Sequence, residues 1–173
     1  LVSIASRNKR VLGIDIAGGP LPGHKYGLVD YAPAFQEAKS RLIPRTAHVS
    51  EGRSPREIIN AIMYLDVDRI GHATTLLDDP VAVNLIRERK IVVEACPTSN
   101  VHTGIFDSVA DHPIKKWIQN EVMVSVCADN TLMSRTTTKK EVERLIDNCK
   151  LSKSDIEWIN KSSEYGKFYR FLG

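Results

Sequence analysis

The chain has 173 residues, 42% of them apolar and 26% charged, with a formal net charge of +3. That length holds one domain with a substantial core, and that composition is ordinary for a water-soluble globular protein. Lys and Arg are scattered rather than gathered on a face, which argues against nucleic acid as a partner, and no apolar run approaches the roughly 20 residues of a membrane span.

In chain order, short β-branched runs alternate with longer helical patterns. Residues 11–17 read as a first strand, followed by a helix over 31–40. A second strand covers 45–49, and Ser54-Pro55-Arg56-Glu57 then opens a helix with Ser as N-cap, Pro at the first helical position and Glu at the third, a capping box. Residues 69–72 form a third strand, and Asp79-Pro80 starts a helix with Val81, Leu85 and Ile86 on one face. Residues 91–96 are a fourth strand. His112-Pro113 leads into a helix over 114–120, and residues 122–128 are a fifth strand. The last helical regions are 138–148 and 154–169, the second capped by Ser152 or Ser154. The three cysteines, Cys96, Cys127 and Cys149, have no CxxC spacing and read as reduced thiols in a cytoplasmic protein.

Apolar strands alternating with helices imply parallel strands buried on both faces. Five of them fit a doubly wound sheet or part of a (β/α)8 barrel. Nearly every strand ends in polar or reactive residues: Asp15 to Gly18, His48 to Glu51, His72, Cys96 to Asn100, and Asp129-Asn130. Strand C-termini that converge on one mouth are the barrel-enzyme pattern. A doubly wound sheet would carry a glycine-rich phosphate loop, and Gly18-Gly19-Pro20 is not one. The expected class is therefore α/β, a partial TIM-type barrel.

His48, Glu51, His72 and Asp129 suit metal-assisted hydrolysis. His and Asp bind Zn²⁺, a second His orients or deprotonates water, and Glu carries a proton to the substrate. The plainer readings stand beside this one. Asp15 serves as an anchor for a neighbouring helix, Cys96 to Asn100 as a turn bonded to backbone, His112 as a helix entry, His24 and His102 as loop residues, and Trp117 and Trp158 as packing.

The ordered blocks GIDIAGGP, TAHVSEG, DRIGHA, VEACPTSN, HPIKKW and VSVCADN resemble the motif series of the adenosine deaminase family, and HVSE is similar to the adenosine-deaminase-like branch that acts on N6-modified AMP. The resemblance implies Zn²⁺ as cofactor, with His48 and Asp129 as zinc ligands. It also implies Glu51 as proton donor to purine N1, His72 as the residue that orients and deprotonates the attacking water, and Asp129 as a further contact to that water. Gly18 matches the glycine whose N–H meets purine N3. Asn130 stands where the family has an Asp on N7, so that a hydrogen bond to N7 would come from an amide. The implied activity is zinc-dependent hydrolytic deamination of adenosine or an N6-substituted adenine nucleotide, in purine metabolism. The alternative is an inactive relative serving as a structural or interaction subunit.

Three departures bear on that choice. The family's HxH pair of zinc ligands does not occur among the histidines, Asn130-Thr131 replaces Asp-Pro, and Gly19-Pro20 and Ser50 replace an acidic residue and a glycine. The five strands correspond to about the fourth through eighth of a barrel. Residues 1–173 are expected to form the C-terminal portion of an adenosine-deaminase-like barrel. The missing strands would come from an upstream segment or a partner chain.

Overall fold

A computed structural model describes residues 1–18 and 24–168; Gly19, Pro20 and Tyr169, on which parts of the sequence reading fall, lie outside the described residues. Five strands, β1 (Ile14–Ile16), β2 (Arg45–Val49), β3 (Arg69–His72), β4 (Val92–Ala95) and β5 (Val124–Val126), form one parallel sheet in strictly sequential order. A doubly wound sheet would reverse its order at a switch point. Sequential order with a helical crossover at each step is an arc of a (β/α)8 barrel.

The helices are α1 (Val2–Arg7), α2 (Ala32–Ser40), α3 (Arg56–Asn60), α4 (Pro80–Glu88), α5 (Pro97–His102), α6 (Ile114–Gln119), α7 (Thr131–Ser134), α8 (Thr138–Cys149) and α9 (Lys153–Tyr165). A π-turn over Ala61–Leu65 extends α3. No helix among the described residues is long and apolar enough to cross a membrane.

Local chemistry explains most boundaries. The Asp79 carboxylate accepts from the Val81 N–H at 2.8 Å and starts α4. Ser152, not Ser154, caps α9, in a reciprocal capping box with Asp155. The box expected at Ser54 is not formed. Glu57 instead accepts from the Ser50 N–H at 2.7 Å, so it secures the end of β2 rather than the start of α3. On α4 the buried face is Ala82, Val83 and Ile86, while Val81 is exposed. Of the stretch Cys96 to Asn100, read as a turn, all but Cys96 lies in helix α5, with Pro97 at its first position.

The strands are not apolar on both faces. Alternate residues point oppositely. Ala47, Val49, Ile70, Val93, Ala95, Val124 and Val126 face the helices, in one core with Ile58, Ile62, Leu65, Ile86, Ile114, Trp117 and Leu145. Residues of the other parity, among them Asp15, Thr46, His48, Gly71, Glu94, Cys96 and Cys127, line a cavity of about 480 Å³ on the concave face. There Arg69 pairs with Glu94 at 2.9 Å, and Thr46 donates to the same carboxylate at 3.1 Å. The inner face of the arc is polar toward the strand C-termini, with Val92 buried below Glu94, and the larger core lies on the helix-packed outer face.

Candidate active site

Three of the strand ends leave the sheet through left-handed backbone. Ser50 has φ 54°, His72 φ 67° and Asp129 φ 55°. Non-glycine residues adopt this conformation at a cost of about 1–2 kcal/mol each and cluster at functional sites. Here the neighbours hold it in place. The Ser50 hydroxyl donates to Ser54 O at 2.9 Å, and Ser50 O accepts from the Thr74 hydroxyl at 2.8 Å. Ser50 therefore substitutes for the family's glycine without leaving a buried polar atom open.

His48, near the end of β2, aims its ring across Gly71. A Cβ on Gly71 would stand 3.3 Å from His48 Cγ, which explains the glycine beside the histidine in β3. His48 Nδ1 lies 3.2 Å from Asp15 Oδ1. That hydrogen bond outweighs burial and raises the proton affinity of His48. Asp15 is thus a partner of His48 rather than a helix anchor. With its hydrogen on Nδ1, the ring keeps its lone pair on Nε2, the arrangement by which carboxylates orient metal-binding histidines.

His72 is 2% exposed, and its ring centroid is 5.1 Å from that of His48. Burial lowers its proton affinity, the Glu51 carboxylate 3.6 Å from Nδ1 opposing. Asn100 reaches both groups, with Nδ2 3.2 Å from His72 Nδ1 and 3.4 Å from Glu51 Oε1. Asp129 is exposed at the end of the β5 segment and lines the same cavity as His48. Among the described residues, His72, Cys96 and Asp129 are the set of three metal-capable side chains whose ligand atoms lie within 4.8 Å of one another. His48 stands outside that set. Burial pushes the Cys96 thiol far up and Cys127 up to about 11, so neither is an activated nucleophile.

Gly18, with φ 88°, borders a second cavity of about 340 Å³ that also reaches His48 and Val49. Asn130 precedes α7, and its Oδ1 accepts from the Ser134 hydroxyl at 3.0 Å, which leaves the amide nitrogen as the part suited to a ligand. His102, read as a loop residue, lies in α5 with Nδ1 3.3 Å from the Ser134 hydroxyl. His112, at the entry to α6, is 4% exposed and packs edge-on to Phe106 and Trp117, as a structural reading requires.

The structure therefore gathers His48, Glu51, His72 and Asp129 at one end of the sheet, with Gly18 and Asn130 at flanking strand ends. Sequence reasoning missed Asp15 and Asn100. The signal for Asp15 was its place at a strand end next in order to His48, and for Asn100 its place just after the fourth strand.

A parallel arc in sequential order, with a polar concave face and a histidine–carboxylate cluster at its strand ends, is part of a (β/α)8 barrel. More narrowly, the adenosine deaminase family model matches residues 1–171, and the chain belongs to that family. It is 33% identical over 160 residues to an adenosine deaminase of Vibrio atlanticus, which covers 92% of this chain and 47% of the relative. The structure of Arabidopsis ADAL complexed with IMP superposes with TM-score 0.83 and 26% identity, covering 98% of this chain and 49% of that one. An amidohydrolase of Burkholderia ambifaria with bound Zn shares the fold at TM-score 0.84 and 21% identity, over 98% of this chain and 48% of that one. The chain spans about half the length of the relatives it matches.

Proposed function

We propose that this chain supplies the C-terminal half of a zinc-dependent deaminase that acts on adenosine or on an N6-substituted adenine nucleotide. The observation that carries this is the convergence of His48 and Glu51 at the end of β2, His72 at the end of β3 and Asp129 beyond β5 on one side of a single arc. Family membership and the adenosine deaminases among the relatives support the nucleoside. The IMP in the Arabidopsis relative supports a nucleotide, because IMP is what remains once an AMP loses its amino group to water.

The donor set fits zinc in part. His48, its Nδ1 committed to Asp15, and Asp129 would hold the metal, with further ligands from outside these residues. When bound, zinc makes hydroxide available near neutral pH. The chain's own residues do the rest. The Gly18 N–H meets purine N3 and the Asn130 amide meets N7, which fixes C6 over the strand ends. His72 orients the attacking water, and Asp129, the second contact to that water, takes its proton. Glu51 donates a proton to N1 as oxygen adds to C6. The C6–N bond then breaks as the proton taken from water passes to the departing nitrogen, which leaves as ammonia or, from an N6-substituted nucleotide, as the substituted amine.

The test is formation of inosine from adenosine, and of IMP from AMP and N6-methyl-AMP, by the full-length protein. Glu51→Gln should lower turnover by about 10²- to 10⁴-fold, the contribution of a positioned general acid. A zinc-loaded protein that deaminates none of the three, or a Glu51→Gln variant as active as the parent, would defeat the reading.

A further inference from the structure

Asn100 and Ser50 are the two fully enclosed polar side chains at the site. Asn100 is 0% exposed, and its Oδ1 is buried with no hydrogen-bond partner among the described residues. An unsatisfied buried oxygen is destabilising, so an Asn retained there solely for packing would be a poor choice beside an apolar residue of the same shape. What the residue does have is a nitrogen edge shared between two titratable groups. Nδ2 stands 3.2 Å from His72 Nδ1 and 3.4 Å from Glu51 Oε1.

The backbone around it prevents the side chain from swinging away. The Asn100 N–H donates to Cys96 O at 3.0 Å, and Asn100 O accepts from the Ile105 N–H at 2.9 Å. The first turn of α5 is fixed from outside by Glu141, which accepts from the Thr98 N–H at 2.9 Å and the Thr98 hydroxyl at 2.6 Å. The amide therefore has a defined place, with His72 Nδ1 and Glu51 Oε1 both within reach of its nitrogen.

This constrains the chemistry of His72. A neutral imidazole nitrogen accepts a hydrogen bond only when the ring hydrogen is on the other nitrogen. A carboxylate oxygen accepts in any case. We propose that Asn100 is a positioning residue that holds neutral His72 in the tautomer with hydrogen on Nε2 and keeps Glu51 Oε1 on the same amide edge. The two titratable groups are thereby fixed relative to each other before substrate arrives. The inference deepens the deaminase reading and rests on it for its catalytic consequence. In that tautomer the ring offers its Nε2–H to the attacking oxygen and orients it as a donor, while the proton that the water loses goes to Asp129.

Removing the donor has a definite outcome. Without the Asn100 amide, the nearest partner of His72 Nδ1 is the Glu51 carboxylate at 3.6 Å, an acceptor, which favours hydrogen on Nδ1. Long-range ¹H–¹⁵N spectra of histidine-labelled full-length protein, recorded where the ring is neutral, read the tautomer directly. The parent should show Nε2–H, and Asn100→Leu should move the hydrogen to Nδ1. Thermal midpoints should stay close, since the lost amide already carried an unsatisfied oxygen. In the deaminase assay, kcat of Asn100→Leu should fall about 10- to 100-fold with KM little changed, the range seen when a residue that orients a site ligand is removed. Asn100→Ala carries the same readouts if the Leu variant does not fold. Nδ1–H in the parent, the same tautomer in parent and variant, or parental kcat in a folded variant would overturn the proposal. A parent without deaminase activity would defeat the functional reading alone, because the tautomer comparison needs no turnover.

Discussion

At the scale of single residues, burial decides what each histidine can do. His112 is packed against Phe106 and Trp117, and its Nδ1 accepts from the Ile114 N–H at 3.2 Å. Burial pushes its pKa down to about 3 from 6.5. Between those values the unfolded chain binds a proton that the native ring refuses. Stability is therefore complete above pH 6.5 and falls as pH drops through it, by about 1.4 kcal/mol per unit once well below, or roughly 2 kcal/mol at pH 5. The urea midpoint of the parent should fall between pH 7 and pH 5, and that of His112→Phe should fall distinctly less; equal slopes would show that other groups govern the acid limb. The sequence made His48, Glu51, His72 and Asp129 visible because strand ends and motif order announce them. Asp15 and Asn100 were not legible in the same way. Their work is to hold one nitrogen of a histidine brought close by strand register, and register is not written in either residue's local sequence.

At the scale of elements, the contrast between β4 and α5 shows what patterning reveals. Residues 91–96 are a β-branched run and read as a strand. The six residues of α5 follow one strand-end residue later, too short for a 3.6-residue period to show, and they open with a proline that reads equally as a turn. The helix persists because α8 supplies the missing support. Glu141 on α8 is 1% exposed and accepts from Thr98, from the Thr136 hydroxyl and from Arg144 at 2.8 Å. Nothing in the spacing of 138–148 marks a glutamate as the buried member of an amphipathic helix. Glu141→Ala would leave the Thr98 N–H and the hydrogens of the Thr98 and Thr136 hydroxyls without their acceptor, and Arg144, which also donates to both hydroxyl oxygens, without its carboxylate. The expected loss is about 3 kcal/mol, or roughly 6–12 °C in Tm for a protein of this size. Glu141→Gln, which keeps the acceptor oxygen, should lose about half as much. Calorimetry of the two variants checks the order; an alanine variant with parental Tm would show that α5 stands without α8. Displacement of α5 should also disturb Asn100, so the alanine variant is expected to lose activity along with stability.

At the scale of the whole molecule, the polar concave face decides what the arc can hold. β1 pairs with β2 alone and β5 with β4 alone among the described strands, so both outer edges present unpaired backbone, which is a template for further pairing. The barrel class was legible because polar residues recur at strand ends. The polarity of the inner face was not, since the alternation of Thr46 and His48 with Ala47 and Val49 is short enough to pass for a continuous apolar strand. That face brings His48 and Asp129 to one cavity but supplies only those two of the proposed ligands. Zinc in enzymes is normally held by three protein ligands with one position open. The 173 residues expressed by themselves should therefore take up zinc weakly and lose it on dialysis, whereas the full-length protein should retain it in proportion to chain. Elemental analysis before and after dialysis separates the cases. Stoichiometric zinc surviving dialysis in the isolated chain would mean that His72, Cys96 and Asp129 bind metal themselves, and the assignment of His72 to water rather than to metal would then fail.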